Sequence, residues 1–142
     1  MLKAMIAAFW VGYLVAAIAI ATIGYWMIAP YNIVTEFSQE PKVLTPYVVQ
    51  GGTLIYEGYI CKTTDDGARI SREFVDGVRY FTPEFSQNFY PKGCRDIRPA
   101  VQVPMIPPGV YRLHITARFR VNPIREKIYD YQTEPFTIVA KE

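Results

Sequence analysis

The chain has 142 residues, and its 15 lysines and arginines against 13 acidic residues give a formal net charge of +2. A balance this close to neutral predicts no general electrostatic attraction to nucleic acid. Charge is nevertheless unevenly distributed, because the stretch from Ala4 to Ala29 contains no charged residue and no proline. We therefore predict a membrane anchor at 1–30, a juxtamembrane connector at 31–42 and one domain at 43–142.

The apolar stretch is long enough to cross a bilayer as a helix. Its 26 residues would extend roughly 39 Å, against a hydrocarbon core of about 30 Å. Pro30 predicts the end of the helix, because its ring cannot continue one. The alternative is a cleaved signal peptide, but the apolar run continues for eight residues beyond Ala21, which favours an uncleaved anchor. Aromatic side chains that suit the two headgroup regions lie toward the two ends: Trp10, Tyr13, Tyr25 and Trp26.

Small residues recur at every fourth position in the first part of this helix, a spacing that lets two helices approach closely. They are Ala4, Ala8, Gly12 and Ala16. We interpret them as a helix-packing face, used for self-association or inside a larger assembly. The alternative is that alanine is simply abundant in spans of this kind.

Two signals predict the same orientation of the anchor. Lys3 precedes the apolar stretch, whereas Glu36 and Glu40 follow it, so the positive-inside rule places the N-terminus in the cytoplasm. The only cysteines, Cys61 and Cys94, lie in the polar domain. An even pair predicts one disulfide, which an oxidising compartment would preserve, with two free thiols as the alternative. We therefore expect a single-pass protein whose C-terminal domain is extracytoplasmic, in a periplasm or on an outer face.

Beyond the connector the hydrophobic pattern has a period of two, which is typical of strands. Asp76-Gly77 predicts a hairpin, and the clearest strand runs from Val110 to Val121, where apolar and polar residues alternate. Short strands, frequent turn signals and a cysteine pair predict an all-β, immunoglobulin-like antiparallel sandwich after the transmembrane helix. Pro108-Gly109-Val110-Tyr111 is similar to the start of the penultimate strand in such folds.

The polar face of the clearest strand carries a row of basic side chains, which is our first candidate binding surface. The row consists of Arg112, His114, Arg118 and Arg120. It is either a docking surface for anionic headgroups, a phosphate-rich polymer or an acidic partner, or a solvated face that is neutralised by the neighbouring strand. We favour the second interpretation, with Glu126, Asp130 and Glu134 as the neutralising carboxylates.

An aromatic segment with two prolines follows the predicted hairpin and shows no strand alternation. Its aromatic residues are Phe81, Phe85, Phe89 and Tyr90. They are either rigid anchors of a recognition loop or part of a loop that folds back over the edge of the sandwich near Cys94. The sequence leaves these two interpretations equal.

No motif in the chain predicts catalysis. There is no phosphate-binding loop, no serine-hydrolase motif and no zinc-protease motif. The only histidine, His114, lies among arginines whose charge disfavours its protonation, and no carboxylate or thiol partner is evident. We therefore predict that the protein is not an enzyme and uses no metal and no cofactor.

Five short motifs, in order along the chain, resemble a group of uncharacterised single-span membrane proteins encoded by tailed phages and prophages. They are Tyr59-Ile60-Cys61-Lys62, Gly93-Cys94, Pro108-Gly109-Val110-Tyr111-Arg112, Asn122-Pro123-Ile124-Arg125 and Thr133-Glu134-Pro135-Phe136. The resemblance implies a membrane anchor and an outward β-sandwich with an immunoglobulin-like fold. It implies no activity.

These observations lead to three hypotheses of function. The first is a membrane-anchored, non-enzymatic interaction or structural module, encoded by a phage or prophage. The second is a small accessory subunit of a larger membrane complex, held by its span, and the third is an envelope-acting hydrolase. The expected partners are the lipid bilayer and one or more proteins, with self-association through the span included; we expect no specific nucleic acid and no small-molecule substrate.

Overall fold

We describe the protein from a computed structural model, which covers residues 2–29, 31–83, 85–87 and 90–141 without the side chains of Leu2, Ala4 and 85–87. Within these residues one helix precedes twelve strands. The elements are α1 (Leu2–Ile28), β1 (Val34–Phe37), β2 (Lys42–Val43), β3 (Tyr47–Val49), β4 (Thr53–Lys62), β5 (Ala68–Val75), β6 (Arg79–Phe81), β7 (Phe85–Gln87), β8 (Gly93–Ile97), β9 (Ala100–Gln102), β10 (Gly109–Asn122), β11 (Arg125–Gln132) and β12 (Phe136–Val139).

The helix α1 is long and apolar enough to cross a membrane, as its length and composition predict. Most of its described large side chains are exposed, and Trp26 is half-buried. Thr22, one of its few polar residues, donates its hydroxyl to the carbonyl oxygen of Ile18 at 2.8 Å, so this hydroxyl is satisfied within the helix. The helix ends at Ile28, and Pro30, the predicted stop, lies outside the described residues.

The first sheet has five strands arranged around β4. β1 and β8 both pair with its C-terminal half, on opposite edges. β2 and β9 pair with its N-terminal half in the same way. All four pairings are antiparallel. Ile33 and Val34 are buried, so residues at the start of the predicted connector contribute to the core of the sandwich.

The second sheet has seven strands in the order β3-β12-β10-β5-β6, with β11 also paired to β10 and β7 to β5. β3 runs parallel to β12, so the prediction of a purely antiparallel sandwich was wrong in this respect. Parallel pairing joins segments that are far apart in the chain, and no local turn signal reports it. The seven-stranded sheet therefore contains both antiparallel and parallel strand pairs.

The strand β10 confirms the predicted alternation and supplies the centre of the core. Its inward side chains are buried, and those of Leu113 and Ile115 are fully buried. The hydroxyl of Tyr111 donates to the carbonyl oxygen of Pro107 at 2.8 Å and so fixes the turn that leads into this strand. Burial raises the pKa of Tyr111 to about 12, and the nearby Asp76 carboxylate adds to the shift.

The strands β11 and β12 both pair with β10 and return along it in succession. Thr133 lies between them and continues the ladder, because its amide donates to the carbonyl oxygen of Leu113 at 3.0 Å. Its hydroxyl accepts from the amide of Leu113 at 3.1 Å. β11 and β12 thus form one interrupted strand along β10. Counted in this way, β10 is the penultimate strand of the chain.

The segment after the predicted hairpin is more regular than the sequence suggested. Asp76-Gly77 does turn the chain from β5 to β6, and Gly77 has a positive φ of 105° that favours glycine. Both β6 and β7 then pair with β5. Part of the predicted aromatic loop is therefore an interrupted edge strand. The prolines and aromatic residues in it masked the strand pattern.

The chain divides into two compact units. One contains α1 and the turn Val121–Arg125. The other contains the two sheets of the sandwich.

Candidate functional site

The outer face of β10 presents the predicted basic row to solvent. Arg112, Arg118 and Arg120 are exposed and His114 is half-buried, and they alternate with the buried residues of the strand. The geometry that was predicted for the row is therefore present. Its ionic partners agree only in part with the prediction, since Asp130 lies near His114 and Glu126 and Glu134 have other partners.

Two members of the row have carboxylates close by. Arg112 Nη1 donates to Glu40 Oε1 at 2.7 Å and to the carbonyl oxygen of Thr133 at 3.3 Å. The ring nitrogens of His114 lie 3.9 Å from Glu73 Oε2 and 3.8 Å from Asp130 Oδ1. The prediction that His114 has no carboxylate partner was wrong, because the strand register places Glu73 directly opposite it.

The other predicted counterions of the row have different partners. Glu126 forms an ion pair with Arg69, and Glu134 Oε2 accepts from the amide of Val43 at 3.3 Å. Arg118 lies opposite Arg69 across the β5–β10 ladder. In the described part of the chain no ion pair involves Arg118 or Arg120, so this end of the row keeps its positive charge.

The predicted aromatic residues do not form one surface. Phe81 is exposed over 70% of its surface, whereas Tyr90 lines the interior of the sandwich. The side chain of Phe85 and the whole of Phe89 lie outside the described residues. One described aromatic residue thus suits a contact surface and another belongs to the interior.

The cysteines form the predicted disulfide. Cys61 on β4 is bonded to Cys94 on β8, and the two residues are direct cross-strand partners. The hydroxyl of Tyr59 lies 3.2 Å from Cys61 Sγ. The bridge therefore joins adjacent strands of one sheet.

The interior of the sandwich contains two cationic side chains that sequence reasoning missed. Lys62 on β4 and Arg72 on β5 are only 7% and 9% exposed. Both line a cavity of about 50 Å³ between the two sheets, together with several tyrosines and mostly apolar residues. The sequence does contain a signal for Arg72. It alternates with the outward residues of β5 in the same way as Ile70 and Phe74, so all three side chains lie on the inward face of the strand.

Both cations have neutral groups among their contacts. Lys62 Nζ donates to the carbonyl oxygens of Asp66 at 2.5 Å and Tyr90 at 2.8 Å, and it lies 5.6 Å from the ring centre of Phe119. The guanidinium of Arg72 is hydrogen-bonded to the hydroxyl of Tyr56. Carbonyl oxygens, a hydroxyl and an aromatic face all stabilise the charged forms.

Burial determines the titration of this interior cluster. It raises the pKa of Tyr56, and the charge of Arg72 opposes the shift. It also raises the pKa of Tyr131, next to Tyr56. Burial lowers the pKa of Lys62, while the nearby Asp66 and Asp65 carboxylates counteract it. The tyrosines consequently remain neutral hydroxyls at physiological pH.

A second feature that the sequence did not reveal is an apolar patch on the outer face of the seven-stranded sheet. Tyr47 and Val49 on β3 are neighbours of Thr137 and Val139 on β12, and Val110 on β10 is opposite Thr137. The four apolar side chains in this group are all exposed, and Tyr47 is exposed over 75% of its surface. We call Tyr47, Val49, Val110 and Val139 the outer patch.

The helix α1 carries the other predicted site residues. Trp10, Tyr13 and Tyr25 are exposed, and a Cβ atom added at Gly12 would meet no other atom within 4 Å. Ala8 and Ala16 are exposed as well, and the side chain of Ala4 lies outside the described set. The small-residue face is thus open, and its role in helix packing remains a prediction.

The C-terminal end of α1 is capped by the turn Val121–Arg125. Asn122 Nδ2 donates to the carbonyl oxygen of Trp26 at 2.8 Å. Arg125 Nη1 donates to the carbonyl oxygens of Met27 at 3.1 Å and Ala29 at 3.0 Å. These contacts satisfy carbonyls that a helix end leaves without partners, and they place a cation at the negative end of the helix dipole.

We expect Arg125→Met to loosen this helix end. Loss of the charged hydrogen bonds should reduce the local free energy of opening by about 1–2 kcal/mol, and 1.4 kcal/mol corresponds to about a tenfold change in the opening equilibrium. Hydrogen exchange of the full chain in detergent micelles should therefore be about tenfold faster for peptides that contain Trp26–Ala29. Arg120→Met is the matched control, and equal acceleration in both variants would contradict the capping role.

The described residues contain no group of three or more histidine, cysteine or acidic side chains that could hold a metal ion. His114 is the best placed titratable group, between Glu73 and Asp130, yet its ring nitrogens are 3.9 and 3.8 Å from these carboxylates. We therefore propose no catalytic or metal site among the described residues.

No family model matches the chain, and no curated protein matches it. Among solved structures it is similar to the alkylpurine DNA glycosylase AlkC of Pseudomonas fluorescens bound to DNA containing an abasic site analog, with 12% identity over 72% of this chain and 30% of that chain and a TM-score of 0.32. A β-glucosidase of Listeria innocua in complex with glucose gives 11% identity over 71% and 16%, with a TM-score of 0.34. The CARDB domain of a Pyrococcus furiosus protein in complex with di-metal ions gives 12% over 73% and 97%, with a TM-score of 0.31. The chain spans less than a third of the first two proteins, and likenesses with TM-scores this low support no conclusion about fold family or function.

Proposed function

We propose that the protein is a membrane-anchored, non-enzymatic interaction module whose sandwich binds another protein outside the cytoplasm. The observation that carries the proposal is the outer patch. Outer faces of antiparallel sheets are usually polar where they meet water, whereas this face presents an exposed tyrosine and three exposed valines around Thr137. A cluster of exposed apolar side chains with an aromatic member is typical of a protein-binding surface.

The anchor in this proposal is α1, as a single uncleaved span with its N-terminus in the cytoplasm. Its length and apolar composition support the span, and Lys3 on the N-terminal side supports the orientation. The Cys61–Cys94 disulfide supports an extracytoplasmic sandwich, since disulfides persist in oxidising compartments. A phage or prophage origin is proposed only from the resemblance of the sequence motifs.

We further propose that the sandwich is related to immunoglobulin-like folds. The hydrogen bond between Tyr111 and Pro107 lies at the start of the penultimate strand, β10. It supports the relation because those folds have a tyrosine corner near the corresponding position. The disulfide departs from the pattern. It joins β4 and β8 within one sheet, whereas antibody domains join the two sheets.

The test is co-purification of the full chain from membranes. We expect the protein to resist alkaline carbonate washing, and its sandwich to be cleaved by protease added to the extracytoplasmic side. The double variant Tyr47→Ser/Val110→Ser should recover at least tenfold less of a specific partner protein than the unmodified chain. Its thermal midpoint should change little, because both side chains are exposed.

The matched control is Val78→Ser, an exposed apolar residue in the turn before β6, at the opposite edge of the same sheet. It should leave partner recovery unchanged. If the Tyr47→Ser/Val110→Ser variant retains its partner, the outer patch is not the binding surface. Retention of a membrane protein would then favour an accessory subunit that is held through α1.

A further inference from the structure

The turn between β10 and β11 is attached to the C-terminal end of α1. Asn122 Nδ2 donates to the carbonyl oxygen of Trp26 at 2.8 Å. Arg125 Nη1 donates to the carbonyl oxygens of Met27 and Ala29. The turn and α1 belong to the same compact unit, so the turn lies at the same depth in a membrane as this end of the helix.

The aromatic residues of α1 define that depth. When α1 spans a bilayer, Tyr25 and Trp26 lie in the headgroup region at its C-terminal end. The apolar stretch Met5–Ile28 also ends there. A turn that is hydrogen-bonded to the last carbonyl oxygens of the helix therefore lies among lipid headgroups, between the hydrocarbon core and bulk water.

The tip of the turn presents an apolar side chain outward. Ile124 is exposed over 55% of its surface, and Pro123 beside it is exposed as well. The amide of Ile124 donates to Asn122 Oδ1 at 3.1 Å, which fixes the turn as an Asx turn. Burial of this side chain beside the upper parts of lipid acyl chains would remove apolar surface from water.

Arg125 adds a cation with hydrogen-bond donors to spare. A guanidinium has five N–H donors, and the hydrogen bonds of Arg125 to described residues both come from Nη1. Nε and Nη2 therefore retain three donors. Glu126, the next residue, forms an ion pair with Arg69. Guanidinium groups bind phosphate oxygens through pairs of parallel hydrogen bonds, so the remaining edge of Arg125 suits a phosphate group.

We propose that the turn Val121–Arg125 binds phospholipid at the extracytoplasmic surface of the membrane. Arg125 contacts the headgroup phosphate through its remaining donors, and Ile124 inserts beside the first carbons of the acyl chains. A phospholipid matches both side chains, whereas inorganic phosphate has no apolar part for Ile124. The proposal rests on the membrane span of the proposed function and adds a lipid contact that is separate from the outer patch.

The turn between β5 and β6 is a matched control within the same chain. Asp76 Oδ1 accepts from the amide of Val78 at 3.2 Å, as Asn122 accepts from Ile124 in the other turn. Val78 is exposed over 58% of its surface, and Arg79 follows it. The two turns thus share an exposed β-branched residue followed by arginine, but the control turn belongs to the other compact unit.

The depth of the turn is tested in vesicles of equal parts of phosphatidylcholine and phosphatidylglycerol. A fluorescent label is attached to the full chain through Ile124→Cys, Val78→Cys or Leu14→Cys, and the native cysteines are protected by their disulfide. A nitroxide on the lipid headgroup should quench the Ile124 label at least twice as strongly as a nitroxide at the end of the acyl chain. The order should be reversed for Leu14, near the middle of α1, and neither nitroxide should quench the Val78 label.

The three labels separate failure of the span from failure of the lipid contact. If the Leu14 label escapes both nitroxides, α1 does not span the bilayer, and the anchor of the proposed function fails together with the lipid contact. If the Leu14 label is quenched and the Ile124 label is not, the lipid contact alone is overturned. Equal quenching of the Ile124 and Val78 labels would overturn it too.

The role of the phosphate is tested by hydrogen exchange of the peptide that contains the turn. In the unmodified chain, exchange should be at least threefold slower in phospholipid vesicles than in vesicles of digalactosyldiacylglycerol, which has no phosphate. Arg125→Met should abolish this difference and Arg79→Met should preserve it. A purely structural role of Arg125 at the helix end would instead give equal acceleration in both lipids, and would contradict the phosphate contact.

Inorganic phosphate added to the galactolipid vesicles should not restore slow exchange. Restoration would assign the site to free phosphate and overturn the proposal, as would equal exchange of the unmodified chain in the two lipids. The labelling experiment involves no substitution of Arg125, so it decides the question even if Arg125→Met does not fold.

Discussion

Replacing Phe74 by alanine should lower the free energy of unfolding of the sandwich by about 3–5 kcal/mol. The side chain is completely buried, and its ring packs edge-on against Phe136 at 6.1 Å between centres. The substitution removes apolar area and leaves a cavity that the strands on either side cannot close. Native domains have only about 5–15 kcal/mol of stability, so the loss is a large fraction of the total.

Urea unfolding of the full chain in detergent, followed by circular dichroism in the strand region, measures this effect. Tryptophan fluorescence is unsuitable, because Trp10 and Trp26 both lie in α1. We expect the midpoint to fall while the slope of the transition stays the same, as for a change in stability alone.

The matched control is Phe81→Ala, which removes the same ring from an exposed position on the neighbouring strand β6. It should change the free energy of unfolding by less than about 0.5 kcal/mol. A similar loss in the two variants would mean that the burial assigned to one of the rings is incorrect.

Local pattern was sufficient to predict the elements that depend on local chemistry. The alternation from Val110 to Val121 predicted β10, because a strand that is buried on one face imposes a period of two on its sequence. Asp76-Gly77 predicted the β5–β6 turn, since glycine readily adopts the positive φ that this turn contains. The even number of cysteines predicted the disulfide.

The hydrophobic pattern of the sequence does not predict which distant strands pair. The parallel alignment of β3 with β12 is set by the core that both strands bury and by no residue between them. The register of β5 against β10 was equally inaccessible. That register brings Glu73 opposite His114 and Arg69 opposite Arg118. Asp130, one of the three expected counterions, does lie near the row, whereas Glu126 and Glu134 have other partners.

The candidate sites were missed for a different reason. No site was predicted at Lys62 or Arg72, although each has the inward parity of its strand. None was predicted at Tyr47 or Val49 either, although these residues alternate with the buried Val48 and therefore point outward. Charged residues at inward positions and apolar residues at outward positions of a strand are the signals that identify the cationic cavity and the outer patch.

These exceptions divide the molecule by chemistry. Charge lies inside the sandwich at the cavity, and apolar surface lies outside it at the outer patch. The interior cations are stabilised by carbonyl oxygens, an aromatic ring and a hydroxyl of the sandwich itself. The exposed side chains of the outer patch have no such compensation within the sheet, and our proposal assigns them to a protein partner.

The disulfide should be the other large contributor to stability, because it closes a loop with a sequence separation of 33 residues between Cys61 and Cys94. In the chain-entropy model a loop of this length stabilises the folded state by about 3–4 kcal/mol, by restricting the unfolded chain. We expect the double variant Cys61→Ala/Cys94→Ala to lose that amount in urea unfolding, and reduction of the unmodified chain by dithiothreitol to cause a similar loss.

Dithiothreitol also provides the control, since it should have no effect on the double variant. The comparison separates loop closure from packing, because reduction keeps both sulfur atoms in place while the alanine variant removes them. Cys61 is buried and Cys94 is exposed, so packing should add about 1 kcal/mol or less to the loss in the variant. An unchanged midpoint after complete reduction would mean that the cross-strand ladder of β4 and β8, and not the covalent bond, holds this part of the sandwich together.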